Sequence, residues 1–519
     1  MINYFVVYEK RYFILFPLVL LLTLGTGLHS DDWNELQNLF SIDELLFQNG
    51  GSKYLLNSIT FLIYRLQFNF IGAEYLYLYD LIKTFVLMFA IYSSDKFFGI
   101  FLSKNIAFIS AVLFIFLPNH DAVTYWTVGQ YLTIIFGLSF FSFFIINKGN
   151  YISGGTLALI ASFSGYGSPP VIWGLSIIFL YRRKWKEFFI YITPAVLYLS
   201  LYFYIQSSQV SDDFRFNLVS SNDLFKPLIS GLTIQVLSAI DAGFGPSFFL
   251  KIIFSIQQIA LSDFLLSILF ALFLIFIFRA NGPEKLINSE RVLLLGAASV
   301  FLLSIGLYSL TGSYPQIAFG LGNRVTIYVS FLFVVLLSMF VNKKPLFFNI
   351  VIVVFAFSVF GLSSHWKDWN HQQMELYSYI KSNKAVFAEF SSKNPLIVTG
   401  MQYSKLGELD HIDFLSTSSA SPFFSSALDR NITAVGLNQY YLIEGSTLIN
   451  TKFSSSYQLK GPVKIFNSNK FTFHSLNISE LQGYIDSLSR FKRHWASLDG
   501  LGFVINIIKT IDPRYSKSL

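Results

Sequence analysis

A chain of 519 residues that is 53% hydrophobic, 18% aromatic and only 13% charged, with a mean hydropathy of +0.54, falls outside the ordinary water-soluble globular class. The formal net charge of +7 does not point to nucleic acid, because the basic residues sit in short connections beside apolar runs rather than on one polar face. With no cysteine, disulfides, thiolate metal sites and a cysteine nucleophile are excluded.

In chain order, apolar runs fall at 12–28, 76–97, 104–118, 127–146, 151–165, 169–181, 188–205, 260–279, 291–310, 325–341 and 346–362. Many have the roughly 20-residue length that a helix needs to cross about 30 Å of hydrocarbon. They are apolar on all sides, which disfavours the strictly alternating strands of a β-barrel. The expected fold is a polytopic α-helical membrane protein with about eleven transmembrane helices, the count of these runs.

Orientation follows from the basic residues. With Lys10 and Arg11 cytoplasmic, alternate connections carry Lys96, Lys104, Lys148, Arg182, Arg183, Lys184, Lys186, Arg279, Lys285, Arg291, Lys343 and Lys344, as the positive-inside rule requires. The outer connections hold few basic residues, mainly Lys53, Arg65, Lys226, Lys251 and Arg324, and each of these exceptions needs a reason. The first span has no small-residue cleavage site and runs straight into Asp31, so it reads as a retained anchor.

Residues 1–363 therefore form the membrane domain, with outer loops 29–75, 118–126, 206–259 and 311–324. Within 206–259, Asp212, Asp213 and Arg215 read as a solvated loop. The weaker apolar stretch 228–250, broken by Gly243, Gly245 and Pro246, reads as a surface helix, a re-entrant piece or a poor span. From 364 to 519 the apolar runs shorten (Pro395 to Thr399, Ala434 to Leu437, Val463 to Phe466) and alternate with Ser- and Asn-rich stretches. This predicts a soluble α/β or α+β domain on the outer face, large enough for its own core. Asn431-Ile-Thr433 and Asn477-Ile-Ser479 match glycosylation sequons, which matter only in a host that modifies them.

The outer segments hold most of the unusual polar content. His29, Ser30, Asp31, Asp32, Trp33, Asn34 and Glu35 follow the first span; Asn119, His120, Asp121, Tyr125, Trp126 and Gln130 follow the third; Gly165 to Pro170 the fifth; Tyr314, Gln316, Asn323 and Arg324 the ninth. Carboxylates so close to hydrocarbon more often report chemistry than packing. A lipid-linked sugar phosphate presents its anomeric carbon at this level; a carboxylate can deprotonate the acceptor hydroxyl and a cation can hold the leaving phosphate.

Asp31-Asp32 in the first outer loop, His120-Asp121 in the second, the helix bundle and the exterior C-terminal domain together resemble the GT-C superfamily of integral-membrane glycosyltransferases. The similarity lies with the bacterial polyprenyl-phosphate-sugar-dependent group that includes aminoarabinose transferases, protein mannosyltransferases and O-antigen glucosyltransferases. The resemblance implies a GT-C-like fold and an inverting transfer of sugar from a polyprenyl-phosphate donor to a cell-envelope glycan or lipid-linked acceptor. Its place would be the outer face of a bacterial cytoplasmic membrane. It implies that Asp31 or Asp32 is the base and that Asp121 orients the acceptor or binds a cation. Arg324 is added as an inference for the donor phosphate, with the bidentate geometry of arginine. Glu35, His120, Gln130 and Tyr314 are expected to line the substrate site, and the partners are the lipid-linked donor, the acceptor and membrane lipids.

Other readings stay open at this point. Asp31-Asp32 can cap a short helix at 33–40, His120-Asp121 can cap a loop after Pro118, and Arg324 can anchor at the headgroups. A divalent cation, Zn or Mn, could take His29 and the two aspartates with His120 and Asp121, although the spacing is no recognised ligand pattern. Asp80 and Lys83, one helical turn apart, can be a local ion pair or a transporter's coupling site. The rival functions are a polysaccharide polymerase or ligase and a lipid-linked-glycan flippase or transporter.

Overall fold

The computed structural model describes residues 2–37, 66–73, 75–208, 225–279, 290–311, 314–341, 344–415, 419–438, 440–451, 455–459 and 462–488. Lys53, Arg65, Asp212, Asp213, Arg215, Lys285 and Lys343 lie outside the described residues. The chain forms two compact units, one of residues 1–24, 40–67 and 77–366, the other of 25–39, 68–76 and 367–519.

The first unit is helical. Its helices are α1 (Ile2–Thr23), α3 (Leu76–Phe98), α4 (Lys104–Phe116), α5 (Ala122–Tyr125), α6 (Tyr131–Asn147), α7 (Tyr151–Ser162), α8 (Ser168–Tyr181), α9 (Trp185–Ser208), α10 (Phe225–Phe244), α11 (Pro246–Gln257), α12 (Leu261–Arg279), α13 (Glu290–Thr311), α14 (Ile327–Val341) and the first part of α15 (Pro345–Ser382). A helix occupies every one of the eleven runs read from the sequence. Among the described residues, seven helices are long and apolar enough to cross a membrane, or eight if α10 and α11 count as one bent span. α4, α7 and α8 are apolar but shorter. This is a multi-pass helical membrane protein, and eleven spans is more than these lengths establish.

Charged residues at the helix ends sort into two sets. Arg11 donates to Asp95 at 2.5 Å and to the Lys104 carbonyl at 3.4 Å, Arg182 lies 4.9 Å from the Phe101 ring, Lys184 donates to Asn147 at 3.1 Å, and Lys186 covers the Tyr151 ring at 4.0 Å. Each of these contacts joins residues that the charge rule places on one side. At the other end of α1, Thr23 donates to the Asp80 carbonyl at 3.2 Å, and Lys83 pairs with Asp80 at 3.0 Å within α3. Phe97, Phe114, Phe136, Phe140 and Phe331 interlock in the core, with Phe97 stacked on Phe140 at 4.3 Å between ring centroids.

The second unit carries the strands. β1 (Leu396–Thr399) lies between β4 (Ala434–Gly436) and β8 (Val463–Asn467), parallel to both, and β9 (Thr472–Leu476) pairs antiparallel with β8. β1 and the helix α16 (Ala420–Leu428) lead to β4, a crossover that a parallel pair requires. β2 (Tyr403–Leu406) pairs with β3 (Leu409–Asp413), and β5 (Tyr441–Glu444), β6 (Thr447–Asn450) and β7 (Ser455–Gln458) form an antiparallel sheet. α17 (Ile478–Ser487) starts at a capping box made by Asn477 and Glu480, and it buries Leu481 and Ile485 against Ile397, Val435 and Ile465. α2 (Asp31–Gln37) belongs to this unit: Trp33 packs edge-on to Phe423 of α16 and stacks with Tyr377 of α15.

Candidate functional site

In the helical unit, Leu117 is extended, Pro118 opens a tight turn over Pro118–His120, and Asp121 leads into α5. Asp121 Oδ1 accepts from Lys251 Nζ at 3.1 Å and Asn323 Nδ2 at 2.5 Å, while Oδ2 accepts from Trp366 Nε1 at 2.7 Å. Asn323 also accepts from the Ala122 amide at 3.1 Å. The carboxylate is 2% exposed and the lysine fully buried, so each charge has the other as its counter-charge in a site sealed from bulk solvent. Asp121 thus ties three distant segments, at Lys251, Asn323 and Trp366, to its own turn, with both carboxylate oxygens engaged.

Beside it, His120 Nδ1 and Ser330 Oγ are 2.8 Å apart, Ser330 donates to Asn119 at 2.9 Å, and Asn119 donates to the Ala242 carbonyl at 3.1 Å. Burial pushes the His120 imidazole down to about 4, against which the neighbouring Asp121 charge acts only in part. His120 is therefore neutral at physiological pH, with Nδ1 held by its polar neighbours. Gln130 donates to the Thr124 carbonyl at 3.1 Å and closes the turn before α6.

Arg324 sits in the tight turn Leu321–Thr326 that precedes α14, partly exposed. Its guanidinium lies 5.1 Å from the Trp126 ring centroid and 4.9 Å from that of Tyr314. Both rings lie close enough for cation–π attraction to hold the guanidinium in place. Tyr314 in turn stacks near Tyr166 at 6.5 Å, and the Tyr131 hydroxyl donates to that of Tyr166 at 3.2 Å. Tyr328 donates to the Gly167 carbonyl at 2.7 Å, and its hydroxyl lies 3.4 Å from that of Tyr308. An arginine among phenols is chemically suited to a phosphate or another oxyanion.

The acidic pair lies in the strand-containing unit. Gly25 (φ +89°), Gly27 (φ +64°) and Ser30 (φ +48°) bend the chain sharply after α1, and Asp31 and Asp32 form the first turn of α2. The two aspartates differ. Asp32 is fully buried and accepts from the His29 amide at 2.9 Å, whereas Asp31 is partly exposed. His29 Nε2 lies 2.5 Å from the Thr26 carbonyl, which can only accept, and Nδ1 lies 2.8 Å from Gln373 Nε2. Both ring nitrogens are thereby engaged with protein, and the proton resides on Nε2. Glu35 is partly buried one turn on.

The structure therefore brings His120, Asp121 and the turn at Gln130 together in one unit, with Tyr314 and Arg324 paired there as a second cluster. It places His29, Asp31, Asp32 and Glu35 in the other. Among the described residues there is no group of three or more histidines and carboxylates arranged to hold a metal ion. Asp80 and Lys83 form the local pair, with Thr84 donating to the Asp80 carbonyl at 2.9 Å.

Three partners of Asp121 escaped the sequence reading. Lys251 carried a signal, as a basic residue on the outer side that the charge rule could not explain. Asn323 and Trp366 carried none beyond their polar neighbourhoods, since a hydrogen bond across 202 or 245 residues leaves no local spacing. Compared with family models and with curated proteins, the chain matches none.

Proposed function

We propose that this protein is an inverting integral-membrane glycosyltransferase of the GT-C kind. It moves a sugar from a polyprenyl-phosphate donor to a glycan or lipid-linked acceptor on the outer face of a bacterial cytoplasmic membrane. The observation that carries the reading is the division within the acidic pair: Asp32 is buried and hydrogen-bonded to the His29 amide, and Asp31 is left partly exposed at the start of α2. In this reading Asp31 is the base and Asp32 shapes the turn that presents it.

The acceptor hydroxyl passes its proton to the Asp31 carboxylate as its oxygen bonds to the anomeric carbon. The bond from that carbon to the phosphate oxygen breaks, and the electron pair leaves on the polyprenyl phosphate. A single in-line displacement inverts the anomeric configuration, unlike a double displacement through a covalent glycosyl-enzyme. Arg324, in the helical unit, is a separate candidate for binding an anion such as the donor phosphate.

The test is transfer of radiolabelled sugar from polyprenyl-phosphate donors to an envelope glycan extract by the purified full chain. The expected result is transfer by the wild type, loss of at least a hundredfold in Asp31→Asn with an unchanged melting profile, and a lowered melting temperature in Asp32→Asn. No transfer from any donor, or full activity in Asp31→Asn, overturns the reading and turns attention to polymerisation or transport of lipid-linked glycan.

A further inference from the structure

The pair α10–α11 bends by 40° at Gly245, where Asp241 accepts from both the amide (3.1 Å) and the hydroxyl (2.5 Å) of Ser247. Among the described residues, the close contacts followed along the pair fall at one end of the helix bundle. Gly231 lies against the backbone of Ser309, two residues before α13 ends, and Gln235 donates to the Tyr314 carbonyl just beyond it at 3.3 Å. Ala242 accepts from Asn119, Gly243 lies against Val329 at the start of α14, and Lys251 reaches Asp121. Near the end, the Ser255 carbonyl packs against Gly361, and the Ala260 amide donates to Ser364 at 3.1 Å. Its deepest ring contacts, Phe244 and Phe248 with Phe333, reach two turns into α14. A helix crossing the bundle would meet its neighbours at both ends.

The two faces of the pair differ. Gln235, Ser238, Ser247, Lys251 and Ser255 are buried toward the bundle. Ile229, Val236, Ile240, Phe249 and Ile253 are exposed at helical spacing on the opposite side. That apolar stripe runs on through the chain into Leu261, Leu265 and Leu269, the exposed face of α12, which is itself long and apolar enough to cross a membrane. The buried face mixes its polar groups with Ile234, Ala239, Ala242 and Phe248, while the exposed face is apolar and leads into a helix long and apolar enough to cross a membrane, which fits a segment whose outer side meets the lipid boundary.

The geometry points to α10–α11 as an in-plane element, seated on the end of the bundle that holds Asp121, with its Ile229–Ile253 stripe in the acyl and headgroup boundary of the bilayer. One face meets lipid, and the other delivers Lys251 to Asp121. The pair does not cross, so the chain enters and leaves it on the same side.

Because the chain has no cysteine, single cysteines report position without background. Asn222→Cys and Gln258→Cys flank the pair, and Lys148→Cys marks the opposite end of the bundle. Cells expressing the full chain are treated with a membrane-impermeant maleimide, with and without permeabilisation. Labelling of positions 222 and 258 from the same side, and of 148 only from the other, is expected. Labelling of 222 and 258 from opposite sides overturns the in-plane placement. Nitroxides at Ile240→Cys and Ile253→Cys in vesicles should collide readily with oxygen and poorly with a nickel chelate; free access of the chelate overturns the lipid contact.

Discussion

Asp121 and Lys251 are 130 residues apart in sequence and 3.1 Å apart in space, with both charged ends sealed from solvent. Removing one member of such a pair leaves the other buried without its counter-charge, which costs about 3–5 kcal/mol. Lys251→Met and Asp121→Asn are each expected to lower thermal stability in detergent by that order. The double variant should be more stable than the sum of the two losses predicts, which a double-mutant cycle reads directly. Strict additivity would show that the pair contributes no coupling.

Burial holds His120 neutral, with its ionisation down at about 4 against an ordinary 6.5. As pH falls from 6.5 toward 4, the unfolded chain takes up a proton at this position before the folded chain does. Stability therefore falls across that window, by on the order of 3 kcal/mol once the lower limit is passed. A His120→Gln variant should lose this part of the pH dependence. Melting temperatures measured between pH 7 and pH 4.5 check it, and a parallel slope in wild type and variant would refute the assignment.

Much of the fold was legible because membrane helices write themselves into long apolar runs, and a helix stands at each of the eleven. The limits came where composition changes without structure changing. α15 continues as one helix to Ser382, well past the point at 363 where its sequence turns polar, because i to i+4 backbone bonding does not require an apolar surface. Asp31-Asp32 was visible as an unusual pair, yet nothing in its spacing tells a buried Asp32 from a partly exposed Asp31; that difference comes from the left-handed turn at Ser30 and the His29 amide. Lys251 was visible as a violation of the charge rule, and only the fold supplies its reason.

Trp33 anchors α2, the helix that carries the acidic pair. It is 1% exposed, 4.9 Å from the Phe423 ring and 5.8 Å from that of Tyr377. Truncating a buried tryptophan to alanine typically costs about 3–5 kcal/mol. Trp33→Ala is expected to loosen residues 29–37 and to raise the rate of proteolysis there and around α16, measured by limited digestion with mass spectrometry. Unchanged digestion would show that α2 is held by something other than this contact.

Arg324 separates a binding role from a structural one through its geometry. Lysine keeps the charge but loses the planar guanidinium that lies against Trp126 and Tyr314 and the fork that grips two phosphate oxygens. If Arg324 holds the donor phosphate, Arg324→Lys should raise the donor KM about tenfold or more, with a smaller change in acceptor KM. Arg324→Met should then lower kcat as well, because the charge that develops on the leaving phosphate loses its counterion. Measuring both substrates' KM in the labelled-sugar assay, with melting curves alongside, decides it. Equal effects on donor and acceptor, or a fall in stability that tracks the loss of activity, would return Arg324 to the role of an aromatic-packed structural residue.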